Sequence, residues 1–321
     1  MGLANLVPGV SGGTMLLASG VYRRFIDSVA RITRLQWTFD AILTLVVICT
    51  GAGLAVLFGA GVIKGLVHEH RWIMFSLFLG LTLGGVPLLW SMIKPCTSSA
   101  WFGCLVGLSC MVALALVGPA DPSAMPDAGT WWILIFAGAA AASAMVLPGL
   151  SGSFVLLILG QYLVVLGAVE AAMFAVRGDG NLSEPMGVII PVGIGAVIGV
   201  VVVSNAVKWA LEHARSATLG FLLGLLLGSV LSLWPFRAPR APEVGDVIRG
   251  QVVSEATREN IKLEHWPTES FSPDAGQWAV ALTLLLVGFA CAVGIGLIGG
   301  QEDDAHSDDT REDHSPSAGC T

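Results

Sequence analysis

Charged residues are scarce in this chain, and their scarcity excludes most classes of soluble protein. Only 12% of the 321 residues are Asp, Glu, Lys or Arg, whereas 55% are hydrophobic and the mean hydropathy is +0.78. Soluble globular domains carry about 25% charged residues. The composition therefore indicates an integral membrane protein, and the 40 glycines favour helices packed closely through small residues over a β-barrel.

Patterns typical of nucleic-acid, redox and metal-binding proteins are also absent from the sequence. The net charge of −7 is concentrated in residues 302–313, where seven carboxylates face one arginine, and the rest of the chain is nearly neutral. None of the six cysteines forms a CxxC motif, and most of them lie in apolar runs, which favours a packing role. We predict no cofactor, no metal site and no nucleic-acid partner.

The sequence also offers no nucleophile or general acid that can be named. Lys64 and Arg71 have the spacing that begins a signature of lipid-phosphate phosphatases, but the remainder of that signature does not follow. His68, His70 and His213 lie near basic residues, yet no carboxylate stands at a spacing that would orient their rings. The sequence therefore predicts no catalytic residue, and we expect that this protein is not an enzyme.

The strongest positive signal is a motif that occurs twice. Pro-Gly-Val-Ser-Gly-Gly-Thr at residues 8–14 returns as Pro-Gly-Leu-Ser-Gly-Ser-Phe at residues 148–154. Each copy is followed at the same distance by a Gly-x-Tyr sequence, at residues 20–22 and 160–162. Such a repeat predicts an internal duplication of the chain.

The motif is unusual inside a membrane, because Pro lacks a backbone donor and Gly weakens a helix. Non-helical backbone at membrane depth is tolerated only where protein buries it or where it lines a water-filled cavity. We therefore predict that each copy forms the tip of a re-entrant hairpin and begins a half-helix, whose free N–H groups and hydroxyls bind an anion. The candidate phosphate-binding residues in the two turns are Gly9, Ser11, Gly12, Gly13, Thr14, Gly149, Ser151, Gly152 and Ser153.

The two hairpins are not equally complete in the sequence. Residues 131–147 supply an inbound arm ahead of the second motif, whereas only residues 2–7 stand between Met1 and the first motif. We therefore expect either that the chain continues upstream of Met1 or that the first hairpin is truncated.

Two further sets of residues recur between the halves. Lys64 with Arg71 is matched by Lys208 with Arg215, and each pair is separated by about two helical turns. These four cations are candidates for binding an anionic headgroup on opposite membrane faces, with ordinary snorkelling to the membrane surface as the alternative explanation. The second set consists of small residues that let helix backbones touch, at Ser76, Gly80, Gly84, Gly220, Gly224 and Gly228.

The order of the apolar runs predicts the membrane topology. Residues 22–37 form a basic interfacial helix with four arginines, which the positive-inside rule places in the cytoplasm. An odd number of spans then separates the two hairpins, so the second hairpin enters from the opposite side as in an inverted-topology repeat. The predicted spans are residues 39–63, 72–93, 100–118, 186–208, 216–234 and 277–299.

The predicted fold class is an all-α polytopic membrane protein, an inverted-topology repeat with two re-entrant helical hairpins and about six to seven transmembrane helices. Residues 1–118 form the first repeat, and residues 119–299 form the second, with a polar loop at 235–276 that holds a short helix near 252–262. Residues 300–321 form an acidic disordered tail. This topology places the C-terminus in the cytoplasm.

Three stretches of the sequence carry a family resemblance. They are residues 4–14, residues 147–154, and Gly-Leu-Leu-Leu-Gly-Ser at 224–229 with Trp234 and Pro235. Together they resemble the undecaprenyl-phosphate translocase family, over residues 2–235 and the last span. The resemblance implies that a polyprenyl (undecaprenyl) phosphate carrier lipid is moved from the outer to the inner leaflet of the cell membrane, for reuse in cell-envelope glycan synthesis.

The implied partners are the polyprenyl-phosphate lipid and the bilayer, while the existence of a homo-oligomer stays open. A small-anion channel or transporter built from paired re-entrant helix tips is the alternative function. A lateral opening to lipid between the halves would favour the lipid carrier, and a continuous aqueous pore would favour the channel. A membrane scaffold without transport would leave the repeated turns unexplained.

Overall fold

Helices make up most of the chain in the computed structural model, which describes residues 12–95, 97–117, 131–176, 181–243, 245–248, 251–255 and 268–312. The helices are α1 Gly12–Ala18, α2 Tyr22–Thr33, α3 Phe39–Glu69, α4 Arg71–Leu83, α5 Val86–Ile93, α6 Ser98–Val117, α7 Trp131–Val146, α8 Gly152–Ile158, α9 Tyr162–Val176, α10 Ser183–His213, α11 Arg215–Ser232 and α12 Ala275–Glu312.

Apolar runs account for the long helices, because a helix satisfies its own backbone groups where no water is present. Within the described residues, four stretches are long and apolar enough to cross a membrane, Arg71–Ile93, Ser98–Leu116, Ser183–His213 and Ala275–Ile295. Three shorter apolar helices accompany them, at Phe39–Ala55, Trp131–Val146 and Arg215–Leu231. The prediction of a helical membrane protein is confirmed at this level, while the six to seven spans and the re-entrant hairpins stay predictions.

The order and length of the helices repeat along the chain. α3 and α10 are each 31 residues long, and each is followed by another helix after a single-residue break, at His70 and at Ala214. The two break residues have similar backbone angles, φ −129° and ψ 48° against φ −140° and ψ 50°. The 7-residue helices α1 and α8 lead into α2 and α9 through Gly20 and Gly160, both of positive φ. A duplicated chain would produce this pattern.

Long helices meet through glycines, whose missing side chains let two backbones touch. A Cβ on Gly80 would overlap the carbonyl oxygen of Leu285, and a Cβ on Gly220 would overlap that of Ala100. These contacts join α4 to α12 and α11 to α6, so each pair links the first half of the chain to the second. The predicted packing role of Gly80 and Gly220 is confirmed.

The matched helices α3 and α10 differ in what covers them. In α10, Gly195 is buried, and a Cβ on it would overlap the carbonyl oxygen of Ile135 in α7. Gly51 holds the corresponding position in α3, is exposed, and has nothing within 4 Å of the place where its Cβ would stand. Among the described residues, α7 therefore covers α10, whereas the matching face of α3 is bare at Gly51.

The largest buried cluster of apolar side chains surrounds α1 and α2. It includes Leu16 and Leu17 from α1 together with Phe25 and Ile26 from α2, and it draws further members from α5, α6, α7, α10 and α11. α1, which begins at Gly12 within the first Pro-Gly motif, is therefore held in the middle of the bundle. This position brings the motif's neighbourhood into contact with both halves of the chain.

Four short strands lie in the polar loop between α11 and α12. They are β1 Arg237–Pro239, β2 Val247–Ile248, β3 Gln251–Val252 and β4 Thr268–Ser270, with β1 antiparallel to β4 and β2 antiparallel to β3. These strands correct the all-α prediction for the loop, because strands of two or three residues leave no alternation long enough to detect. β3 occupies the start of the predicted helix near 252–262, and residues 256–267 lie outside the described residues.

α12 continues past its membrane-spanning stretch into the acidic segment. The sequence predicts a disordered tail from residue 300, whereas the helix extends to Glu312. Once a helix is established, each added residue gains a hydrogen bond at little further cost, which accounts for the extension. Residues 313–321 lie outside the part of the chain that the structure describes.

The contrast between Gly195 and Gly51 yields a matched pair of substitutions. Gly195→Ala should lower the thermal stability of the detergent-solubilised protein, because the new methyl group overlaps the α7 backbone and overpacking costs about 1–3 kcal/mol. Gly51→Ala should leave thermal stability unchanged or slightly raised, since Ala favours a helix by about 1 kcal/mol over Gly. Size-exclusion chromatography of heated samples measures both, and equal losses would contradict the assigned packing.

Candidate functional site

α1, which begins within the first Pro-Gly motif, packs against the residues that precede the second motif. A Cβ on Gly13 in α1 would stand 2.8 Å from the carbonyl oxygen of Val146 and 3.0 Å from that of Met145, at the end of α7. Pro148 follows Val146 after one intervening residue. The fold thus brings the surroundings of the two motifs together, as an anion site shared between them requires.

The second Pro-Gly turn is seated against two helices by its glycines. Gly149 has φ +89°, which L side chains rarely adopt, and a Cβ on it would stand 2.5 Å from the carbonyl oxygen of Leu225 in α11. A Cβ on Gly152 would stand 2.6 Å from the carbonyl oxygen of Ala141 in α7. Glycine is therefore required at both positions for the turn to lie this close to its neighbours.

Hydroxyl groups of the predicted site lie inside the bundle. Ser151 is 9% exposed and Thr14 is 1% exposed. Ser151 Oγ lies 2.9 Å from Ser153 Oγ, and Ser151 makes no capping hydrogen bond although it holds the N-cap position of α8. Each hydroxyl has one donor and two acceptor lone pairs, so this pair retains hydrogen-bonding capacity for a polar ligand.

Lys208 is engaged by a carboxylate on another helix. Its Nζ lies 2.9 Å from Asp27 Oδ1, and the ion pair ties α10 to α2. One turn earlier, Asn205 Nδ2 donates a hydrogen bond to Thr33 Oγ1 at 2.9 Å, between the same two helices. Lys208 therefore has a structural partner that the spacing of the cations did not reveal.

The two predicted arginines hold matched positions with different surroundings. Arg71 is the first residue of α4 and Arg215 is the first residue of α11, each directly after its helix break. Arg71 is half-buried, with its guanidinium carbon 4.7 Å from the ring centroid of Phe75. Arg215 is exposed. Arg71 therefore interacts more strongly with a nearby charge than Arg215 does, because its partial burial reduces the screening by water.

Three predicted site residues are not placed by the structure. Gly9 and Ser11 lie outside the described residues, and Lys64 belongs to α3 although its side chain is not described. In the described part of the chain, no group of three or more His, Cys, Asp or Glu side chains is arranged to hold a metal ion.

Gln161 is a buried polar residue that the sequence reasoning missed. It directly follows Gly160 and is 1% exposed, and its side-chain oxygen has no hydrogen-bond partner among the described residues. A buried acceptor without a partner costs about 1–3 kcal/mol. The Gln161 oxygen is therefore a candidate contact for a polar ligand just after α8. The sequence contained a signal for this residue, because the second copy of the motif has a polar Gln161 where the first copy has the apolar Val21.

Arg240 forms ion pairs with three acidic side chains of the polar loop. Its guanidinium nitrogens lie 2.8 Å from Glu243, 3.0 Å from Asp246 and 3.0 Å from Glu269. The backbone N–H of Glu243 also donates to the Asp246 carboxylate at 2.8 Å. This hydrogen bond, together with the Arg240 guanidinium, holds the pKa of Asp246 below its usual range.

The described helices and the buried second turn define a polytopic helical membrane protein, in which other helices enclose the polar backbone of that turn. Residues 1–245 match the family model described as VCA0040-like, undecaprenyl phosphate translocase-like. Because the match covers well over half of the chain, this protein belongs to that family. The resemblance inferred from the repeated motifs is thereby confirmed.

Two relatives are similar to this chain along most of their length. A polyprenyl-phosphate transporter of Vibrio cholerae is 29% identical over 307 residues, covering 92% of this chain and 92% of the relative. A polyprenyl-phosphate transporter of Staphylococcus aureus is 31% identical over 244 residues, covering 73% of this chain and 83% of the relative. No solved structure matches the chain.

The loop electrostatics predict a pH-dependent local structure. Since the folded pKa of Asp246 is depressed, its contribution to loop stability is present above the ordinary Asp pKa of about 4 and is lost as pH falls through the folded value. Asp246→Ala should increase hydrogen exchange at the Glu243 amide at neutral pH and remove the acid-dependent step, because no side-chain acceptor remains. Unchanged protection of that amide in Asp246→Ala would contradict the assigned hydrogen bond.

Proposed function

We propose that this protein carries polyprenyl phosphate across the cell membrane, moving the headgroup from the outer to the inner leaflet so that the carrier lipid is reused in cell-envelope glycan synthesis. Membership of the undecaprenyl phosphate translocase-like family supports this function. The two relatives described above bear the name polyprenyl-phosphate transporter. The protein acts on its substrate by binding and movement, with no bond made or broken.

The observation that carries the proposal is the meeting of the two motif regions inside the bundle. An isolated ion in hydrocarbon costs tens of kcal/mol by a Born estimate, so a phosphate must be given polar contacts while it crosses. α1 abuts the end of α7 through Gly13, and the Ser151 and Ser153 hydroxyls follow within the next turn. Backbone N–H groups and hydroxyls together supply such contacts while the prenyl chain remains in lipid.

The proposed architecture is an inverted repeat with boundaries at residues 1–118 and 119–299. The matched lengths of α3 and α10 and the matched breaks at His70 and Ala214 support it. In this arrangement the Arg71 end of α4 faces the outside, the Arg215 end of α11 faces the cytoplasm, and the C-terminus is cytoplasmic. The phosphate binds near Lys64 and Arg71, passes the turn residues, and leaves near Lys208 and Arg215.

The proposed roles are not equivalent between the two faces. Arg215 is free to meet an arriving phosphate because it is exposed at the start of α11. Lys208 is bound to Asp27, so a phosphate reaching Lys208 would have to displace a carboxylate at 2.9 Å. We therefore assign the inner contact chiefly to Arg215, with the Lys208 and Asp27 pair holding α10 and α2 together.

Membrane potential sets the energy that must be supplied. Moving one negative charge inward against 100 mV costs about 2.3 kcal/mol. Since a tenfold concentration ratio is worth about 1.4 kcal/mol, a gradient of about 50-fold in the lipid offsets one charge. A phosphate monoester with a second pKa of about 6 carries about −1.5 to −2 charge at pH 7, so the headgroup crosses with a charge near one only when it takes up a proton. Steady consumption of the lipid inside the cell maintains the gradient.

The transport test follows a short-chain polyprenyl phosphate across proteoliposome membranes. The double variant Ser151→Ala and Ser153→Ala should slow movement at least tenfold, because hydrogen bonds to a charged group contribute about 1.5–3 kcal/mol each. Arg215→Ala should also slow release to the inner leaflet. Ser91→Ala removes an exposed hydroxyl that bonds only its own helix, and it should transport like the wild type.

Ion flux distinguishes the carrier from the alternative function. If the wild-type protein moves chloride or inorganic phosphate but not the lipid, the carrier proposal is wrong and a small-anion channel takes its place. Full transport by the double serine variant, with folding intact, would instead show that the Ser151 and Ser153 hydroxyls do not bind the headgroup.

A further inference from the structure

We propose that Arg71 and Arg237 together form a binding site for a phosphate monoester, at the end of the bundle where α4 meets β1. Arg237 belongs to none of the sites predicted from the repeated motifs, since it follows α11 in the polar loop. The inference rests on the proposed function in taking the monoester to be the headgroup of a lipid. It identifies the residues that receive that headgroup first.

Contact between α4 and β1 places the two arginines together. β1 begins at Arg237 and packs against α4, whose first residue is Arg71. Arg237 is therefore at the end of β1 that lies beside the start of α4. The Arg71 guanidinium is also fixed in direction, because it lies over the ring of Phe75 one turn later. Arg237 is exposed and Arg71 is half-buried, so a ligand at this end of the bundle meets both elements.

Buried side chains hold the backbone on the α11 side of Arg237. Leu233 is 1% exposed and packs in a cluster with Met74, Phe75, Phe78 and Leu79 of α4. The same phenylalanine that supports the Arg71 guanidinium thus belongs to the cluster that fixes the start of the loop. One apolar cluster therefore supports the chain at both arginines.

Aromatic rings hold the residue directly before Arg237. Phe236 is 1% exposed, with ring centroids 4.7 Å from Trp278 and 5.9 Å from Phe271. The Phe271 N–H donates to the Phe236 carbonyl oxygen at 3.1 Å, and Arg237 pairs with Ser270 in the β1 and β4 ladder. Arg237 therefore projects from a rigid segment, which lowers the entropy lost when it binds a ligand.

Three carboxylates of the polar loop are engaged by Arg240, which holds Glu243, Asp246 and Glu269. Glu69, two residues before Arg71, is exposed and lies 4.0 Å from the adjacent His70 ring. In the described part of the chain, neither Arg71 nor Arg237 has a carboxylate partner. Two like charges held near each other repel, and an anion bound between them offsets this repulsion because it attracts both.

The chemistry of the pair fits a phosphate monoester with an apolar tail. Arginine binds phosphate oxygens through paired N–H donors, and a monoester carries about −1.5 to −2 charge at pH 7, which matches two guanidinium groups. Trp234 and Trp278, each about two-fifths exposed at 41% and 43%, lie in the aromatic cluster beside Arg237. Their indole faces offer apolar contact to the first units of a prenyl chain.

A binding experiment on the full chain in lipid nanodiscs tests this site. The probes are a short-chain polyprenyl phosphate, the matching prenyl alcohol and inorganic phosphate. Arg71→Gln and Arg237→Gln should each weaken binding of the prenyl phosphate at least tenfold and leave the alcohol unaffected. Arg237→Lys should recover part of the affinity, because it restores the charge without the paired donors. Arg31→Gln, at an exposed arginine of α2, is the charge-matched control.

The outcomes separate this site from the proposed function. If the wild type transports the lipid but Arg237→Gln and Arg237→Lys bind it like the wild type, the two-arginine site is wrong and the transport function stands. If the wild type binds inorganic phosphate through Arg237 but neither binds nor moves the lipid, the site stands and the lipid function fails. An equal loss in Arg31→Gln would show that the effect is one of net charge, which also overturns the site.

Discussion

Backbone hydrogen bonding in the absence of water is the constraint on which this structure depends. The long elements of the described chain are helices that satisfy their own N–H and C=O groups. In lipid, helices gain little from the hydrophobic effect on association, so close van der Waals contact must bring them together. Gly80, Gly220 and Gly195 provide this contact by removing the side chain that would otherwise separate two backbones.

The second Pro-Gly turn is the exception to this rule, and its burial makes the exception tolerable. Gly149 lies against Leu225 of α11, so protein rather than lipid surrounds this non-helical backbone. Burial also concentrates the polar groups of this region, because Ser151, Ser153 and Gln161 come from one short segment. The same short segment therefore supplies both the irregular backbone and the polar side chains of the site.

Local composition predicted the helical class and the glycine contacts, because both depend on which residues are small or apolar at helical spacing. Contacts between distant residues were not predictable in the same way. Lys208 was grouped with Arg215 by spacing, yet its partner is Asp27 on another helix. The strands around Arg240 were missed because they are too short for a pattern, and Arg237 could be paired with Arg71 only once β1 was seen against α4.

The two halves of the chain contact each other through two helix pairs, because α4 packs on α12 and α6 packs on α11. Backbones in direct contact cannot slide without moving a carbonyl group away from the glycine beneath it, so each of these two helix pairs resists sliding. Rocking of one intact half against the other is therefore obstructed. α7 and α10 form a third pair of touching backbones, through Gly138 and Gly195, and Gly149 joins that pair to α11 at Leu225.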